Sequence, residues 1–254
     1  MVGSEEISPK QERSIGKHKE ALTRIVHPDQ VQTNDSIFAQ LEAGEIDTKS
    51  AKAQVEKLII EVASTDHMTG LDNARAAKLK LQDLMEYCEL NSLDMVVMYL
   101  DGDGIKALNT ISHLLGDLAI ESIASAIEGA TRPTDLPARL SPEQPYDESD
   151  PETSPTQARV GGDEFLLLLP GAKLTDAETI YNRIKQRLSD ITSVTLPGRS
   201  VTLTAGAVSF IPGFDKDSVD FAHRAERAMQ FGKENGKGDF YASAEPLAGN
   251  KIAA

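Results

Sequence analysis

The chain has 254 residues and a formal net charge of −14, with 40% hydrophobic and 26% charged residues. The composition is typical of a globular protein, and the negative charge argues against a nucleic-acid or anionic-membrane surface, because both need a basic footprint. The lone cysteine, Cys88, excludes an intramolecular disulfide and favours a reducing compartment.

The first 64 residues predict an N-terminal extension. Residues 1 to about 34 are polar without a sustained period and predict disorder or loosely held helix, followed by a short capped helix over Asp35–Ala43. Asp47–Ser64 predicts a helix with one apolar face, formed by Ala51, Val55, Leu58, Ile59, Val62 and Ala63. This face is too short to decide whether the helix pairs with its copy in a dimer or packs against its own domain.

The remaining chain predicts mixed helices and strands. The predicted helices are Asn73–Glu89, Ile105–Ala130, Leu174–Ile191 (with Thr175 and Asp176 as cap candidates) and Asp217–Asn235, which Gly236 ends. The predicted strands are Met95–Leu100, a hairpin over Ala158–Pro170, two strands in Ser193–Phe210 joined near Pro197-Gly198, and an edge strand at Phe240-Tyr241. No strict βαβ repeat is present, so we predict an α+β domain whose central sheet is covered by helices.

Thr131–Gln157 differs from the rest of the chain. It contains six prolines, and from Ser141 to Gln157 it has five acidic residues and no lysine or arginine. This composition predicts an acidic, proline-rich loop that holds neither a helix nor a central strand.

The longest apolar runs, Met95–Leu100 and Phe165–Leu169, are too short to span a bilayer. The N-terminus also lacks the pattern of a signal peptide. We therefore expect a cytoplasmic protein that does not bind a membrane.

Arg159–Phe165 combines a glycine pair with two carboxylates. Gly161 and Gly162 lie between two extended segments, which predicts a hairpin whose glycines take positive φ. Asp163 and Glu164 at its tip offer paired oxygen ligands beside open backbone amides. Such a tip suits a divalent cation and a phosphate chain.

Asp101–Asn109 directly follows the predicted strand Met95–Leu100, so Asp101 is expected at the rim of the sheet. A simple glycine-rich turn is one alternative. A calcium loop is another, but Ile105 and Lys106 stand where an EF-hand needs a ligand and a glycine. If this strand end lies beside the hairpin, Asp101 and Asp163 can share a cation.

Several segments together resemble the GGDEF family, the diguanylate cyclases, in family order from about Thr65 to Tyr241. They are Asp66–Arg75, Asp101–Asn109, His113–Asp117, Gly161–Phe165, Val201–Gly206, Ala225–Met229 and Lys233–Lys237. The resemblance implies the palm-like fold of nucleotidyl cyclases, with a mixed, mostly antiparallel sheet. The domain would cover residues 65–245, with the insertion at about 136–157 and a tail over 246–254.

The resemblance also implies roles for individual residues. Asp101, the Gly102 carbonyl and Asp163 would bind Mg²⁺ or Mn²⁺, and Asp163 and Glu164 would help deprotonate the attacking 3′-hydroxyl. The GTP-binding residues would be Lys106, Lys233 and Lys237 at the phosphates, Asn109 and Asp117 at the guanine edge, and His113, Gly161 and Gly162 lining the site. Two domains of a homodimer would face each other and convert two GTP into cyclic di-GMP.

Two departures from the family pattern matter. Lys237 stands where the family usually has arginine, which predicts weaker phosphate binding. The family's inhibitory product site, an Arg-x-x-Asp before the glycine pair, would fall on Glu152 and Pro155, which do not fit. Arg132 and Asp135 match that motif further upstream. They are either a surviving product-inhibition site, a displaced and inactive one, or a surface ion pair.

Two other functions stay open at this point. One is a non-catalytic module that senses GTP or cyclic di-GMP and signals through a partner protein. The other is an enzyme that makes a different cyclic dinucleotide, which the guanine-type acceptor Asp117 disfavours.

Overall fold

The structure, a computed structural model, describes residues 37, 39–41, 43–131 and 155–243. The expectations for residues 1–34, for most of the acidic loop and for the C-terminal tail lie outside these residues. The chain divides into two compact units, Met1–His67 and Met68–Ala254.

The N-terminal unit contains helix α1, Thr48–Ser64, as predicted. Asp47 caps it, since its carboxylate accepts a hydrogen bond from the Ser50 amide at 2.7 Å. Ala51 and Leu58 are buried against Ile37, which belongs to the helical residues 37 and 39–41. The apolar face thus packs partly within its own unit. Pairing of the rest of this face with its copy in a dimer, or its packing against its own domain, stays a prediction.

The second unit is built on a six-stranded sheet. Its strands are β1 (Asp72–Asn73), β2 (Met95–Asp103), β3 (Thr156–Arg159), β4 (Glu164–Pro170), β5 (Thr202–Ser209) and β6 (Phe240–Ser243). They lie in the order β1-β3-β4-β2-β5-β6, and only the two outermost pairs, β1 with β3 and β5 with β6, are parallel. The predicted α+β class with a mixed, mostly antiparallel sheet is confirmed.

Among the described residues of this unit, five helices cover the two faces of the sheet. They are α2 (Ala74–Leu90), α3 (Ile105–Ile111), α4 (His113–Ala130), α5 (Leu174–Thr195) and α6 (Ser218–Asn235). The alternating residues of β2 separate two cores. Val96, Met98 and Leu100 pack with α3, α4 and α5, whereas Met95 and Val97 pack with α2 and α6. The central strand β2 is therefore fixed from both sides.

The predicted helix over 105–130 is in fact two helices. Ser112 is extended, with φ −164° and ψ 135°, and its carbonyl accepts a hydrogen bond from the Leu115 amide at 3.1 Å. The break redirects the chain so that α4 crosses α3 closely. A uniform helical pattern in the sequence does not reveal such a turn.

The prediction of two strands in 193–210 was wrong. Helix α5 continues to Thr195, the chain turns at Leu196–Arg199, and only β5 is a strand. The alternation that begins at Ser193 favoured a strand, but the hydroxyls of Thr192 and Thr195 donate hydrogen bonds to the carbonyls of Leu188 and Ile191 at 2.7 and 3.1 Å, within the helix. Lys173 takes the N-cap position of α5, with its amide bonded to the Asp176 carboxylate at 2.9 Å.

Candidate active site

The glycine pair joins β3 to β4 in the predicted hairpin, closed by a 2.9 Å hydrogen bond from the Val160 amide to the Glu164 carbonyl. The expected reason for the glycines was wrong, because neither Gly161 nor Gly162 has positive φ. An added Cβ at Gly161 would instead meet the Glu164 side chain, so the glycine leaves room for the position that this side chain takes. Gly162 is exposed and has open space around it.

The hairpin tip lies beside the end of β2, as the cation hypothesis required. Asp101 is directly opposite Glu164 in the β2–β4 register. The Gly102 amide donates a hydrogen bond to the Asp163 carbonyl at 2.9 Å. These contacts bring the carboxylate-bearing residues 101, 163 and 164 to one rim of the sheet, on rigid strands.

Lys233, in the last turn of α6, contacts Oδ1 of Asp101 through its ammonium group. Asp101 is only 6% exposed. Burial raises the pKa of its carboxyl to about 6; the Lys233 contact acts against this rise, and the charges of Asp163 and Glu164 add to it. The rim is therefore a place where negative charge is concentrated and needs a cation.

Asn109 on α3 lies against Gly116 on α4, the residue before Asp117, where these two helices cross. A Cβ at Gly116 would lie 1.9 Å from Oδ1 of Asn109, so the glycine leaves the room that the Asn109 amide fills. Asp117 is half-buried beside it in the chain. The two predicted guanine-reading residues thus flank one tight helix contact.

The other predicted residues lie around these groups. Lys106 and His113 are exposed on the first turns of α3 and α4, and Lys237 is exposed just after α6 ends. Arg132 and Asp135, the proposed product-inhibition site, lie outside the described residues.

Four residues near the rim, two on β2 and two on β5, were not assigned a role from the sequence. The Tyr99 hydroxyl donates a hydrogen bond to Oε2 of Glu164 at 3.3 Å. Oδ2 of Asp103 accepts hydrogen bonds from the Thr204 and Thr202 hydroxyls at 2.7 and 3.3 Å. The alternation of β2 places 99, 101 and 103 on one face, and that signal was available.

The donor set fits a hard divalent cation. Carboxylates and a main-chain carbonyl are the oxygen ligands that Mg²⁺ and Mn²⁺ prefer, and the buried Asp101 carboxylate already draws in an ammonium group. Within residues 37, 39–41, 43–131 and 155–243, no three His, Cys, Asp or Glu side chains form a ready metal cluster. A nucleotide's own phosphates and water would have to complete the coordination.

A palm-like sheet with carboxylates at the β2 end and on the neighbouring hairpin defines a domain of the nucleotidyl-cyclase class. The family model described as "Diguanylate cyclase, GGDEF domain" matches residues 63–144 and 151–239, more than half of the chain. The chain belongs to the GGDEF family.

Two curated relatives are much longer than this chain, which matches only part of each of them. The chain is 25% identical over 203 residues to the bifunctional diguanylate cyclase/cyclic di-GMP phosphodiesterase MucR of Pseudomonas aeruginosa, covering 80% of this chain and 27% of MucR. It is 30% identical over 197 residues to the cyclic di-GMP phosphodiesterase PdeR of Escherichia coli, covering 76% of this chain and 26% of PdeR. The chain thus spans about a quarter of the length of these two relatives.

A solved structure shows the same fold. The coiled coil and GGDEF domain of DgcB from Caulobacter crescentus, in complex with c-di-GMP, matches with a TM-score of 0.60 at 23% identity. The match covers 80% of this chain and all of that chain. Across the part of this chain that the structure describes, none of the helices has the length and apolar content needed to cross a membrane.

Proposed function

We propose that the domain is a diguanylate cyclase, which condenses two GTP into cyclic di-GMP and two pyrophosphates. The observation that carries the proposal is the meeting of Asp101, Asp163 and Glu164 at one rim, with Lys233 reaching the same point. Membership of the GGDEF family and the naming of MucR as a diguanylate cyclase support it. The domain boundaries 65–245 and the tail 246–254 are part of the same proposal.

In this proposal the carboxylates perform the proton transfer and hold the cation. Asp163 and Glu164 take up the proton of the attacking 3′-hydroxyl, since both lie at the half-buried hairpin tip next to the substrate space. Asp101, the Gly102 carbonyl and Asp163 hold Mg²⁺ or Mn²⁺. When bound, the ion would supply charge neutralisation at the phosphates and a lower pKa for the hydroxyl.

Positioning of the nucleotide supplies most of the remaining catalysis, as in other phosphoryl-group transfers. Lys106, Lys233 and Lys237 neutralise the phosphates, and Gly161 and Gly162 line the site without side chains in the way, while the Gly161 amide itself donates to the Glu164 carbonyl at 3.3 Å. Asn109 and Asp117 read the guanine edge, with His113 lining the site. Because each site holds one GTP, two domains must face each other, so activity requires a homodimer.

The test is to incubate the purified protein with GTP and Mg²⁺ at several protein concentrations and to separate the nucleotides by chromatography. We expect cyclic di-GMP, formed with a rate that rises more steeply than linearly with protein. Asp163→Asn is expected to abolish product, and Asp83→Asn, an exposed carboxylate on α2, is the matched control. Undiminished turnover of Asp163→Asn would refute the proposal.

A second candidate is a module that senses GTP or cyclic di-GMP and signals through a protein partner. It is favoured by lysine rather than arginine at 237, which offers a point charge in place of a bidentate phosphate contact. GTP binding without product at any protein concentration would select it. Loss of product inhibition in Arg132→Ala would assign the proposed inhibitory pair Arg132 and Asp135.

A further inference from the structure

We propose that Asp103 and Thr204 are positioning residues that fix the 236–238 turn, which carries Lys237 and directly follows α6, for the triphosphate of a nucleotide. The 236–238 turn comprises Gly236, Lys237 and Gly238. The inference rests on the proposed function in so far as it names a nucleotide, and it adds residues that the family resemblance did not mark.

A chain of hydrogen bonds connects Asp103 on β2 to the 236–238 turn through Thr204 on β5. Thr204 is fully buried, and its hydroxyl has a single proton, which it donates to Oδ2 of Asp103 at 2.7 Å. The hydroxyl oxygen therefore keeps its lone pairs for the Gly238 amide, which donates to it at 3.0 Å. The negative charge of Asp103 polarises this hydroxyl and strengthens the second bond.

The Asp103 carboxylate accepts hydrogen bonds through only one of its two oxygens among the described residues. Its side chain is 8% exposed, and its second oxygen, Oδ1, is buried without a hydrogen-bond partner among the described residues. A buried carboxylate of this kind is costly to keep for stability alone. The burial of the Asp103 carboxylate is explained if its negative charge is needed to orient the Thr204 hydroxyl.

Three side chains hold main-chain atoms of the turn. Besides the bond to Thr204, the Gly238 carbonyl accepts from the Lys185 ammonium at 2.8 Å, and the Gly236 carbonyl accepts from the Tyr241 hydroxyl at 2.9 Å. Gly238 has a φ of +79°, which suits glycine. The backbone is thus fixed, while the exposed Lys237 side chain can reach an anion in solvent.

The position of the turn explains why this fixation matters. Lys233 lies in the last turn of α6 and contacts Asp101, and Lys237 follows four residues later. A flexible backbone between them would increase the entropic cost of bringing both ammonium groups to one phosphate chain. The effect of loosening the turn should therefore fall on triphosphate binding and spare the nucleoside part.

Three variants test this chain of hydrogen bonds, and one of them, Thr202→Val, is the matched control. Thr204→Val removes the hydroxyl and keeps the shape, Thr204→Ser restores the hydroxyl, and Thr202→Val removes a hydroxyl that bonds the same Asp103 oxygen at 3.3 Å. Two quantities are measured: the exchange rate of the Gly238 amide proton without nucleotide, and the Kd of a GTP analogue with a non-reactive α–β bridge, compared with GMP.

We expect Thr204→Val to speed Gly238 exchange at least tenfold and to raise the Kd of the GTP analogue roughly five- to tenfold, with GMP changed less than about twofold. Thr204→Ser and Thr202→Val should stay within about twofold of the wild type in both measurements. The inference is overturned if Thr204→Val binds the analogue like the wild type, if Thr202→Val loses as much, or if GMP weakens equally.

If Thr204→Val does not fold, Asp103→Asn replaces it, because this change removes the negative charge that orients the Thr204 hydroxyl and keeps the shape of the side chain. A triphosphate-selective loss supports the inference, and unchanged affinity overturns it. A wild-type chain that binds no GTP analogue overturns the proposed function and the nucleotide part of the inference. The exchange rate of Gly238 still decides whether Thr204 holds the turn.

Discussion

The ammonium group of Lys233 contacts the carboxylate of Asp101, joining the end of α6 to the central strand β2. Both groups are among the residues proposed to bind the triphosphate and the metal ion. The contact means that Asp101 of the free protein is paired with the protein's own lysine, and that a cation bound at Asp101 must compete with Lys233.

Replacing Lys233 by methionine tests this competition. We expect Lys233→Met to lower the melting temperature by about 2–6 °C, because a buried carboxylate loses its partner. Mn²⁺ should then raise the melting temperature more in the variant than in the wild type. Thermal unfolding with and without Mn²⁺ measures both, with the exposed Lys237→Met as control. A smaller Mn²⁺ shift in Lys233→Met than in the wild type contradicts the competition.

Gly116 is predicted to be essential for guanine recognition. In Gly116→Ala the new Cβ would lie 1.9 Å from Oδ1 of Asn109, so the amide must move. We expect KM for GTP to rise roughly tenfold, which corresponds to one well-placed hydrogen bond. Gly129→Ala on the same helix is the control, since its Cβ meets only the flexible guanidinium of Arg187, at 2.9 Å. Equal effects of the two variants on KM would argue against a special role for Gly116.

Tyr99 is predicted to orient Glu164. Burial and the neighbouring charges of Glu164 and Glu226 raise the pKa of the Tyr99 phenol, so it stays a neutral donor under assay conditions. Tyr99→Phe should lower kcat roughly threefold to tenfold and leave KM for GTP within about twofold. Steady-state kinetics measure this split, with Tyr87→Phe on α2 as control. In the Glu164→Gln background, Tyr99→Phe should lower kcat no further. If the two changes instead lower kcat by the product of their separate effects, the two groups act separately.

Cys88 provides a pH-dependent prediction away from the site. Burial on α2 raises the pKa of its thiol from 9.0 to about 11. Since the folded pKa exceeds the unfolded value, the thiol's contribution to stability is complete below pH 9 and is lost as the pH rises towards 11.

Urea unfolding of the wild type and Cys88→Ala at several pH values tests this. The stability advantage of the wild type should shrink between pH 9 and pH 11. A thiol reagent near neutral pH should label the native protein far more slowly than the unfolded chain. Rapid labelling of the native protein would show that the thiol is accessible.

Local signals in the sequence were enough to place most helices and strands. Asp217 and Gly236 bound α6 as expected, because a carboxylate that caps amides and a glycine that ends a helix act through adjacent residues. The break at Ser112 and the continuation of α5 to Thr195 were missed, because a helical or alternating pattern does not show where a helix breaks or which hydroxyls bond back to the helix.

The site was predicted in outline from its acidic motifs. The sequence indicated that Asp101 and Asp163 would meet if β2 and the hairpin were neighbours, and the sheet order supplies that adjacency. It did not reveal why Gly161 is glycine, since this depends on where the Glu164 side chain is held by Tyr99 across two strands. The role of Thr204 was hidden for the same reason, because its partners are far away in the chain.

The described chain leaves α4 at Thr131 and re-enters at Pro155, just before β3. The glycine hairpin lies at the opposite end of β3, four extended residues or roughly 13 Å away. The spacing of the acidic groups is set by β2 and β4 and not by the length of the connection before β3. This connection is therefore a suitable place to insert a reporter domain, because a change in its length leaves the spacing of the reacting groups as it is.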